Sequence, residues 1–180
     1  MEVIETKIKD LLIIKPKVFA DSRGYFFESY NADVFKQNNI TVNFVQDNQS
    51  LSSTGVLRGL HFQAPPFDQG KLVRVITGAV LDVAVDIRKN SPTYGEHITV
   101  ELTEENKTMF YIPPGFAHGF LTLRDNTIFS YICTNVYNKL SEGCVLWNDT
   151  DLNINWNVAN PTLSEKDLVG TPFKEFTSPF

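Results

Sequence analysis

Short apolar runs separated by glycine- and proline-rich turns occupy the centre of the chain, and they constrain its fold more than any other feature. Each run suits a strand and is too short for a typical helix. The runs are Lys71–Thr77, Val80–Ile87, His97–Leu102, Met109–Ile112, Phe116–Leu123 and Thr127–Tyr137. Gly78 and Ala79, between the first two, favour a hairpin-type break. Many short strands with almost no helix predict a β-sandwich or barrel, and a jelly-roll sandwich would enclose a pocket.

The N-terminal third carries weaker signals. Lys9–Val18 predicts a first strand, and Tyr25–Tyr30 an aromatic-rich strand after a turn. Asn31 suits the N-cap of a short helix that runs through Gln37. The polar segment Phe44–Thr54 indicates a loop that begins with a possible strand. We therefore expect an all-β protein with a few short peripheral helices.

Length and composition set the broad class. The chain is long enough for one domain over residues 1–180 with a full core. No apolar run approaches the roughly 18 residues of a membrane span, and the mixed charges of the N-terminus do not resemble a signal peptide. The net charge of −5, with no basic block, argues against nucleic acid. Cys133 and Cys144 form no CxxC or metal-binding spacing, which favours reduced thiols in a cytoplasmic protein.

The segment Val56–Lys71, VLRGLHFQAPPFDQGK, differs from the ordinary strands because charged and titratable residues interrupt its apolar run. Arg58, His61 and Lys71 together indicate a site for an anionic substrate that loses a proton, since histidine suits general-base catalysis near neutral pH. A lone histidine in an apolar strand is more often a satisfied core residue. Arg58 and His61 have opposite parity, so a regular strand would point them to opposite faces, and a bulge at Gly59 would reconcile them.

His61 and His118 are also candidate metal ligands. The segment from Pro113 to His118 resembles the second signature of the cupin superfamily. Metal-binding cupins carry two histidines one residue apart in their first signature, followed by a glutamate. Gln63 stands in place of the second histidine, and the next glutamate is Glu96. Two histidines without further ligands make a poor site, so we expect no functional metal.

Tyrosines and a late aspartate offer both structural and chemical interpretations. Tyr131 and Tyr137 share one face of a predicted strand, where aromatic residues are usually core, yet a tyrosine lining a pocket can serve as a general acid. Residues 164–167, SEKD, fit a helix capping box. The residues alone favour this cap for Asp167, and the alternative is a carboxylate that orients His61.

Three cations complete the candidate chemistry. Lysines and arginines usually lie on a solvated surface in any protein. Here Lys71 is a candidate for stabilising a developing oxyanion, and Arg23 and Arg58 are candidates for holding phosphates.

Six motifs in order along the chain resemble the dTDP-4-dehydrorhamnose 3,5-epimerase family, a metal-free branch of the cupins. The resemblance runs almost from end to end, and the motifs together are far more specific than any one of them. They are FADSRGYFFESY (19–30), QDNQSLSSTGVLRGLHFQAPP (46–66), KLVRVITGAVLDVAVDIRKNSPTYG (71–95), IPPGFAHGF (112–120), WND (147–149) and LSEKD (163–167).

The resemblance implies a cupin jelly-roll β-sandwich that forms a homodimer, with the N-terminal strand crossing to the partner. It implies a nucleotide-sugar substrate, dTDP-4-dehydro-6-deoxy-D-glucose, which is inverted at C3 and C5 through an enolate to give dTDP-4-dehydro-L-rhamnose. No metal and no cofactor take part. The proton removed lies next to a ketone, so the reaction needs a base, an acid on the opposite face and positive charge at the oxygen.

Residue roles follow from the same resemblance. His61 would be the base, Asp167 its partner, Tyr131 the acid and Lys71 the group that steadies the enolate. His118 would lie near the 4-keto oxygen, and Arg23 and Arg58 would bind diphosphate. Further positions would face the nucleotide or the sugar, partly from the other subunit, and they are Phe26, Glu28, Gln46, Asn48 and Tyr137.

Three other functions stay open at this point. A relative could epimerise only C3 or only C5, or act on another keto-deoxy sugar nucleotide. A non-catalytic sugar-binding cupin would not need both an acid and a base, and a metal-dependent cupin is disfavoured by Gln63. The sequence specifies neither the nucleotide base, nor whether both carbons are inverted, nor the glycan that receives the product. The homodimer rests on the resemblance alone.

Overall fold

A computed structural model describes all residues from 1 to 180. In chain order the strands are β1 (Glu2–Glu5), β2 (Leu12–Lys15), β3 (Phe19–Asp21), β4 (Gly24–Phe26), β5 (Gln46–Ser52), β6 (Leu57–Gln63), β7 (Lys71–Thr77), β8 (Ala79–Asp86), β9 (His97–Thr103), β10 (Met109–Ile112), β11 (Phe116–Thr122), β12 (Thr127–Cys133) and β13 (Glu142–Cys144). The α-helices are α1 (Ala32–Gln37) and α2 (Glu165–Leu168), and short 3-10 helices span Lys139–Ser141 and Phe173–Glu175.

The strands form two large antiparallel sheets and one hairpin. The six-stranded sheet has the order β1-β2-β10-β7-β12-β5, the five-stranded sheet has the order β13-β6-β11-β8-β9, and β3 pairs with β4. A core cluster joins the two large sheets, with Val73 and Phe110 from one and Ala84 and Phe120 from the other. This is an all-β sandwich of the cupin type, as the sequence predicts.

Both sheets are also covered on their outer faces. Successive residues of a strand point to opposite sides. Leu72 and Met109 therefore point away from the inner cluster and pack against Phe35 of α1. On the other sheet, the C-terminal segment packs Leu152 and Trp156 against the outer side chains of β6, β8 and β11. Burial on both faces explains why the central strands are rich in valine and isoleucine.

A bulge at Gly59 shifts the side-chain phase of β6, as the sequence predicts. The pairing of β6 with β11 changes register between His61, opposite His118, and Arg58, opposite Phe120. Gly59 has a φ of 139°, and a Cβ there would come within 2.5 Å of the backbone of β11. Leu57 and Leu60 consequently pack in the same outer cluster despite their opposite parity. Arg58 and His61 therefore both point inward.

The predicted hairpin at Gly78 is wrong. β7 pairs with β10 and β12, whereas β8 pairs with β11 and β9, so the chain passes from one sheet to the other at this turn. Gly78 has a φ of 87°, and a Cβ there would lie 2.2 Å from the Thr127 hydroxyl. The signal for a turn was correct, but local sequence cannot distinguish a turn within a sheet from one that crosses between sheets.

The N-terminal third differs most from prediction. Residues 46–52 form a regular edge strand rather than a loop. Of the predicted strand Tyr25–Tyr30, only Tyr25 and Phe26 lie in a sheet, as part of β4. The first predicted strand shortens to Leu12–Lys15, and β1 was not predicted. The predicted helix is confirmed, because the Asn31 side chain accepts hydrogen bonds from the first turn of α1. At the other end of the sandwich, β12 stops at Cys133, short of Tyr137.

No helix of the structure has the length and apolar character needed to cross a membrane. The two cysteines are free thiols, Cys133 buried in β12 and Cys144 partly buried in β13.

Candidate active site

His61 on β6 and Asp167 on α2 form a hydrogen-bonded pair. His61 Nε2 lies 2.6 Å from Asp167 Oδ1. The Asp167 side chain is buried and the His61 ring is partly exposed. Because the pair joins β6 to α2, it links two segments that lie far apart in the sequence.

Asp167 makes the contacts that both interpretations require. Oδ2 accepts hydrogen bonds from the Ser164 hydroxyl and the Ser164 backbone, which completes the capping box of α2. Oδ1 accepts from the Gly59 backbone N–H and faces His61. Burial alone would raise the pKa of Asp167, but the hydrogen bonds from His61 and Ser164 outweigh it and hold the pKa at about 2. The carboxylate is therefore ionised at neutral pH.

An ionised Asp167 fixes the tautomer of His61. A carboxylate without a proton only accepts hydrogen bonds, so the proton between the two groups belongs to His61 Nε2. The neutral imidazole then carries its lone pair on Nδ1. This nitrogen is the one available to remove a proton.

Lys71, Asp82 and His118 form a second polar group on the inner faces of β7, β8 and β11. His118 Nε2 lies 3.0 Å from both carboxylate oxygens of Asp82. Burial lowers the pKa of His118, and Asp82 opposes this shift. Burial likewise lowers the pKa of Lys71, and Cys133 and Asp82 oppose this shift. The buried Asp82 carboxylate thus favours the charged form of both His118 and Lys71.

Tyr131 faces the same space from the six-stranded sheet. It stands opposite Asn48 in the pairing of β12 with β5, and Cys133 stands opposite Gln46. Gln46 donates to Asn48, and Asn48 donates to the Cys133 sulfur. Burial raises the pKa of Tyr131, and only Arg58 opposes it. The phenol is therefore protonated at neutral pH and available as an acid.

Tyr137 lies beyond the end of β12, but the structure returns it to the same region. Its backbone N–H donates to Gln46 Oε1. Its hydroxyl donates to Glu142 Oε2 at 3.2 Å. Lys166 pairs with the other oxygen of Glu142. Desolvation and Glu142 both raise the pKa of Tyr137.

Arg58 and Gln63, which flank His61, have different surroundings. The Arg58 guanidinium donates to the hydroxyl of Ser52, which lies on β5 of the other sheet. Most of its N–H donors remain free. Gln63 is buried, donates to the Phe67 and Val136 carbonyls and accepts from the Asn138 backbone. Gln63 therefore holds two loops together, whereas Arg58 is available to an anion.

Cys144 lies beside the His61–Asp167 pair. It stands directly opposite His61 in the pairing of β13 with β6. Burial, followed by the charge of Asp167, raises the pKa of this thiol to about 11. Cys144 is therefore not a nucleophile at neutral pH.

Three predicted binding residues do not join this group within one chain. Arg23 pairs with Asp21 in the β3–β4 hairpin and its side chain is 89% exposed. Phe26 lies on the same hairpin and is 66% exposed. Glu28 accepts a hydrogen bond from Asn31 at the start of α1.

Sequence reasoning missed two carboxylates of the site. Asp82 is fully buried on β8, and its alternation with Val80 and Ala84 places it on the inner face. A carboxylate inside an apolar strand was a usable signal, because burying an unpaired charge is costly. Glu142 acts on the pKa of both Lys71 and Tyr131, and its polar surroundings in the sequence gave no comparable signal.

The chain matches a protein family described as dTDP-4-dehydrorhamnose 3,5-epimerase over residues 5–175. A curated relative of that name from Shigella flexneri is 54% identical over 174 residues, which cover 96% of each chain. Among solved structures, dTDP-6-deoxy-D-glucose-3,5-epimerase of Legionella pneumophila, in complex with dTDP-4-keto-L-rhamnose, superposes with a TM-score of 0.93. It is 46% identical, with 96% of this chain and 93% of that chain covered.

A more distant structure has the same fold and a narrower activity. ChmJ, a 3'-monoepimerase from Streptomyces bikiniensis in complex with dTDP-quinovose, has a TM-score of 0.89 and 31% identity. The match covers 94% of this chain and 87% of that one. The family match over nearly the whole chain, with identities of about half to relatives of one name, leaves one assignment. The chain belongs to the dTDP-4-dehydrorhamnose 3,5-epimerase family, whose members are isomerases of sugar nucleotides.

Proposed function

We propose that the chain converts dTDP-4-dehydro-6-deoxy-D-glucose to dTDP-4-dehydro-L-rhamnose by inverting C3 and C5. Both carbons flank the 4-keto group, so their hydrogens are weakly acidic. Removing either one leaves an enolate, and returning a proton on the opposite face inverts the carbon. Such chemistry needs two proton carriers on opposite sides of the sugar and a cation at the oxygen.

The observation that carries this proposal is the placement of His61 and Tyr131 on opposite sheets. His61 lies on β6 of the five-stranded sheet and Tyr131 on β12 of the six-stranded sheet, and both face the inner space. A sugar ring between the sheets would therefore meet a base on one side and an acid on the other. The ionised Asp167 accepts from His61 Nε2 and leaves Nδ1 as the nitrogen that can take a proton, and burial raises the pKa of Tyr131 and keeps its phenol protonated.

Lys71 is the proposed partner of the enolate oxygen. It is the cation on the inner face of β7, next to the buried His118–Asp82 pair. Because Asp82 accepts a hydrogen bond from the N–H at His118 Nε2, a neutral His118 has no proton on Nδ1 to donate. The charge that stabilises the enolate is therefore assigned to Lys71, with His118 beside the 4-keto group.

The nucleotide end of the substrate requires residues from outside this cluster. Arg58 has free donors for a diphosphate, and Gln46, Asn48 and Tyr137 line the adjoining polar region. Arg23, Phe26 and Glu28 are the remaining proposed contacts. The β3–β4 hairpin exposes Phe19, Tyr25 and Phe26 by 54, 57 and 66%. Large exposed aromatic residues on one hairpin favour a protein interface.

We propose accordingly that two chains form a homodimer in which this hairpin of one chain completes the substrate site of its partner. We also propose a cytoplasmic location, supported by the two free thiols. Neither a metal nor a cofactor is required, because His61, Tyr131 and Lys71 supply the base, the acid and the charge.

Proton NMR of the purified, chelator-treated enzyme with dTDP-4-dehydro-6-deoxy-glucose in D₂O tests the function. Each carbon that loses and regains a proton takes up solvent deuterium. We expect deuterium at both C3 and C5, together with the signals of the L-rhamno product. A substrate without label at either carbon would refute the proposal.

A mono-epimerase is the second candidate, favoured by the similarity to ChmJ. The same experiment separates the two. Deuterium and inversion confined to one carbon would assign the chain to a mono-epimerase activity, and label at both carbons with double inversion would exclude it.

A further inference from the structure

Cys144 is the side chain nearest the proposed base that has no part in the proposed reaction. Its sulfur, a ring nitrogen of His61 and a carboxylate oxygen of Asp167 all lie within 4.8 Å of one another. The three residues come from β13, β6 and α2, so three separate backbone segments hold them in place. This cluster of one nitrogen, one sulfur and one oxygen donor needs its own explanation.

Imidazole, thiolate and carboxylate are the three side chains that bind Zn²⁺ in proteins. Zinc bonds of about 2.0 to 2.3 Å place neighbouring ligand atoms of a tetrahedron roughly 3.3 to 3.8 Å apart. Small side-chain rotations therefore suffice to convert the observed spacing into three ligands of one ion. A neutral imidazole, a carboxylate and a thiolate carry two negative charges, which match a divalent cation.

The surroundings already restrain the donors. Asp167 is held through its other oxygen by the Ser164 hydroxyl at 2.6 Å and through Oδ1 by the Gly59 N–H. Ligands whose second oxygen or nitrogen is hydrogen-bonded bind metals more strongly. The His61 ring is partly exposed, so water can reach a bound ion and complete its coordination.

The other titratable clusters of the sandwich lack such a donor set. His118 and Asp82 are paired, and no third histidine, cysteine or carboxylate donor joins them. Cys133 lies near Lys71 and has only the Asn48 amide as a hydrogen-bond partner. Cys144 is therefore the one thiol placed with both a histidine and a carboxylate.

We propose that His61, Cys144 and Asp167 bind Zn²⁺ and that the bound ion switches the enzyme off. Zinc on His61 Nε2 displaces the proton that this nitrogen shares with Asp167, and the proton moves to Nδ1 of the same ring. The thiol proton of Cys144 passes to the buffer. With a proton on Nδ1, His61 has no lone pair left to accept a proton from the sugar. The inhibitory half of this inference rests on the proposed role of His61, whereas the binding half does not.

Cobalt titration tests the binding half. Co²⁺ replaces zinc and gives a thiolate-to-metal charge-transfer absorption in the near ultraviolet when a cysteine sulfur is a ligand. We expect that band, saturating at one ion per chain, in the chelator-treated protein and in Cys133→Ser, and its loss in Cys144→Ser. Absence of the band in the parent protein, or its persistence in Cys144→Ser, would overturn the site.

Activity in zinc-buffered solution tests the inhibitory half. Without zinc we expect Cys144→Ser to match the parent enzyme, because a serine hydroxyl preserves the size of the side chain. In Cys144→Ser the zinc concentration for half-inhibition should rise by at least about tenfold, since loss of a thiolate costs no less than loss of an outer-shell contact. Zinc that binds the parent enzyme without slowing it would overturn inhibition. An enzyme without turnover in any condition would refute the proposed function and the inhibitory half, and leave the cobalt result to decide binding.

Discussion

Asp167 Oδ1 lies 2.6 Å from His61 Nε2, although 106 residues separate them in the chain. The same carboxylate closes the capping box of α2. One side chain thus stabilises a helix and sets the tautomer of the proposed base, so substitutions near it should separate the structural from the chemical effects.

His61→Asn should abolish the base and leave the fold intact. We expect turnover to fall by at least about 10²–10⁴, the contribution of one well-placed base. His97→Asn is the matched control, because His97 lies at the start of β9, outside the site. Steady-state rates with a thermal melt for each variant measure both effects. Near-parental turnover in His61→Asn would remove His61 from the mechanism.

Tyr131→Phe should uncouple proton exchange from inversion. His61 remains able to remove a proton and return it to the same face, so we expect solvent deuterium in the unreacted sugar while product formation falls by about 10² or more. Proton NMR in D₂O follows both signals in one sample. Tyr94→Phe, which alters a tyrosine packed on Phe173, serves as the control. Normal product formation by Tyr131→Phe would assign the acid to another group.

Asp82 and Asp86 form a matched pair of fully buried carboxylates on β8. Asp82 faces His118, whereas Asp86 pairs with Arg88 and the hydroxyls of Ser91 and Thr93. We expect Asp82→Asn to lower kcat and shift its pH profile. Asp86→Asn should lower stability by about 2 kcal/mol with little change in kcat, because Arg88, Ser91 and Thr93 lose a charged acceptor while Asp10 still pairs with Arg88. Equal losses of kcat in both variants would contradict this division.

Acid pH should reveal the depressed pKa of Asp167. Its folded value of about 2 lies below the usual value of about 3.9. A carboxylate with a lowered pKa contributes its full stability above the unfolded value and loses it as the pH falls through the folded value. Between pH 5 and pH 2, urea unfolding should therefore show an additional loss on the order of 2 kcal/mol relative to Asp167→Asn. Parallel pH curves for the two proteins would show that the pair contributes nothing.

Mixed dimers should report the proposed exchange of the β3–β4 hairpin. His61→Asn and Arg23→Ala chains, each impaired as a homodimer, should recover about a quarter of the parental activity per chain when refolded together in equal amounts, because half of the dimers then contain one intact site. His61→Asn mixed with Tyr131→Phe is the control and should recover none, since both residues belong to the same chain's site. No recovery in the first mixture would place Arg23 outside the partner's site.

The central strands were the most predictable part of the fold. Met109–Ile112 was predicted with its observed bounds, and the valine-rich strands β7 and β8 to within one residue. These strands are buried on both faces, so largely apolar runs specify them despite Arg74 in β7 and Asp82 in β8. The edge strand β5 was read as mostly loop because its inward residues Gln46 and Asn48 are polar. Strand pairing was not predictable at Gly78, since partners lie far along the chain.

The residues of the candidate site were predictable where they belong to a sequence motif or to the family resemblance. The bulge at Gly59 followed from parity together with the expectation that His61 and Arg58 serve one site, because a regular strand would point them to opposite faces. Asp167 was ambiguous from the residues, since a capping box and a histidine partner require the same side chain. Asp82 and Glu142 were missed because no sequence pattern brings them to Lys71 and Tyr131. Only the packing of two sheets does so.

The capping box on Asp167 has a consequence for synthesis on the ribosome. His61 and both strands that flank it are made long before Asp167 leaves the exit tunnel, and α2 has only four residues. Until that single turn forms, the imidazole has no carboxylate to fix its tautomer. Parallel bridges from Thr162 to Val56 and from Thr171 to Val145 hold the turn in place on both sides. A nascent chain that has already formed its sheets therefore still lacks the carboxylate partner of its proposed base.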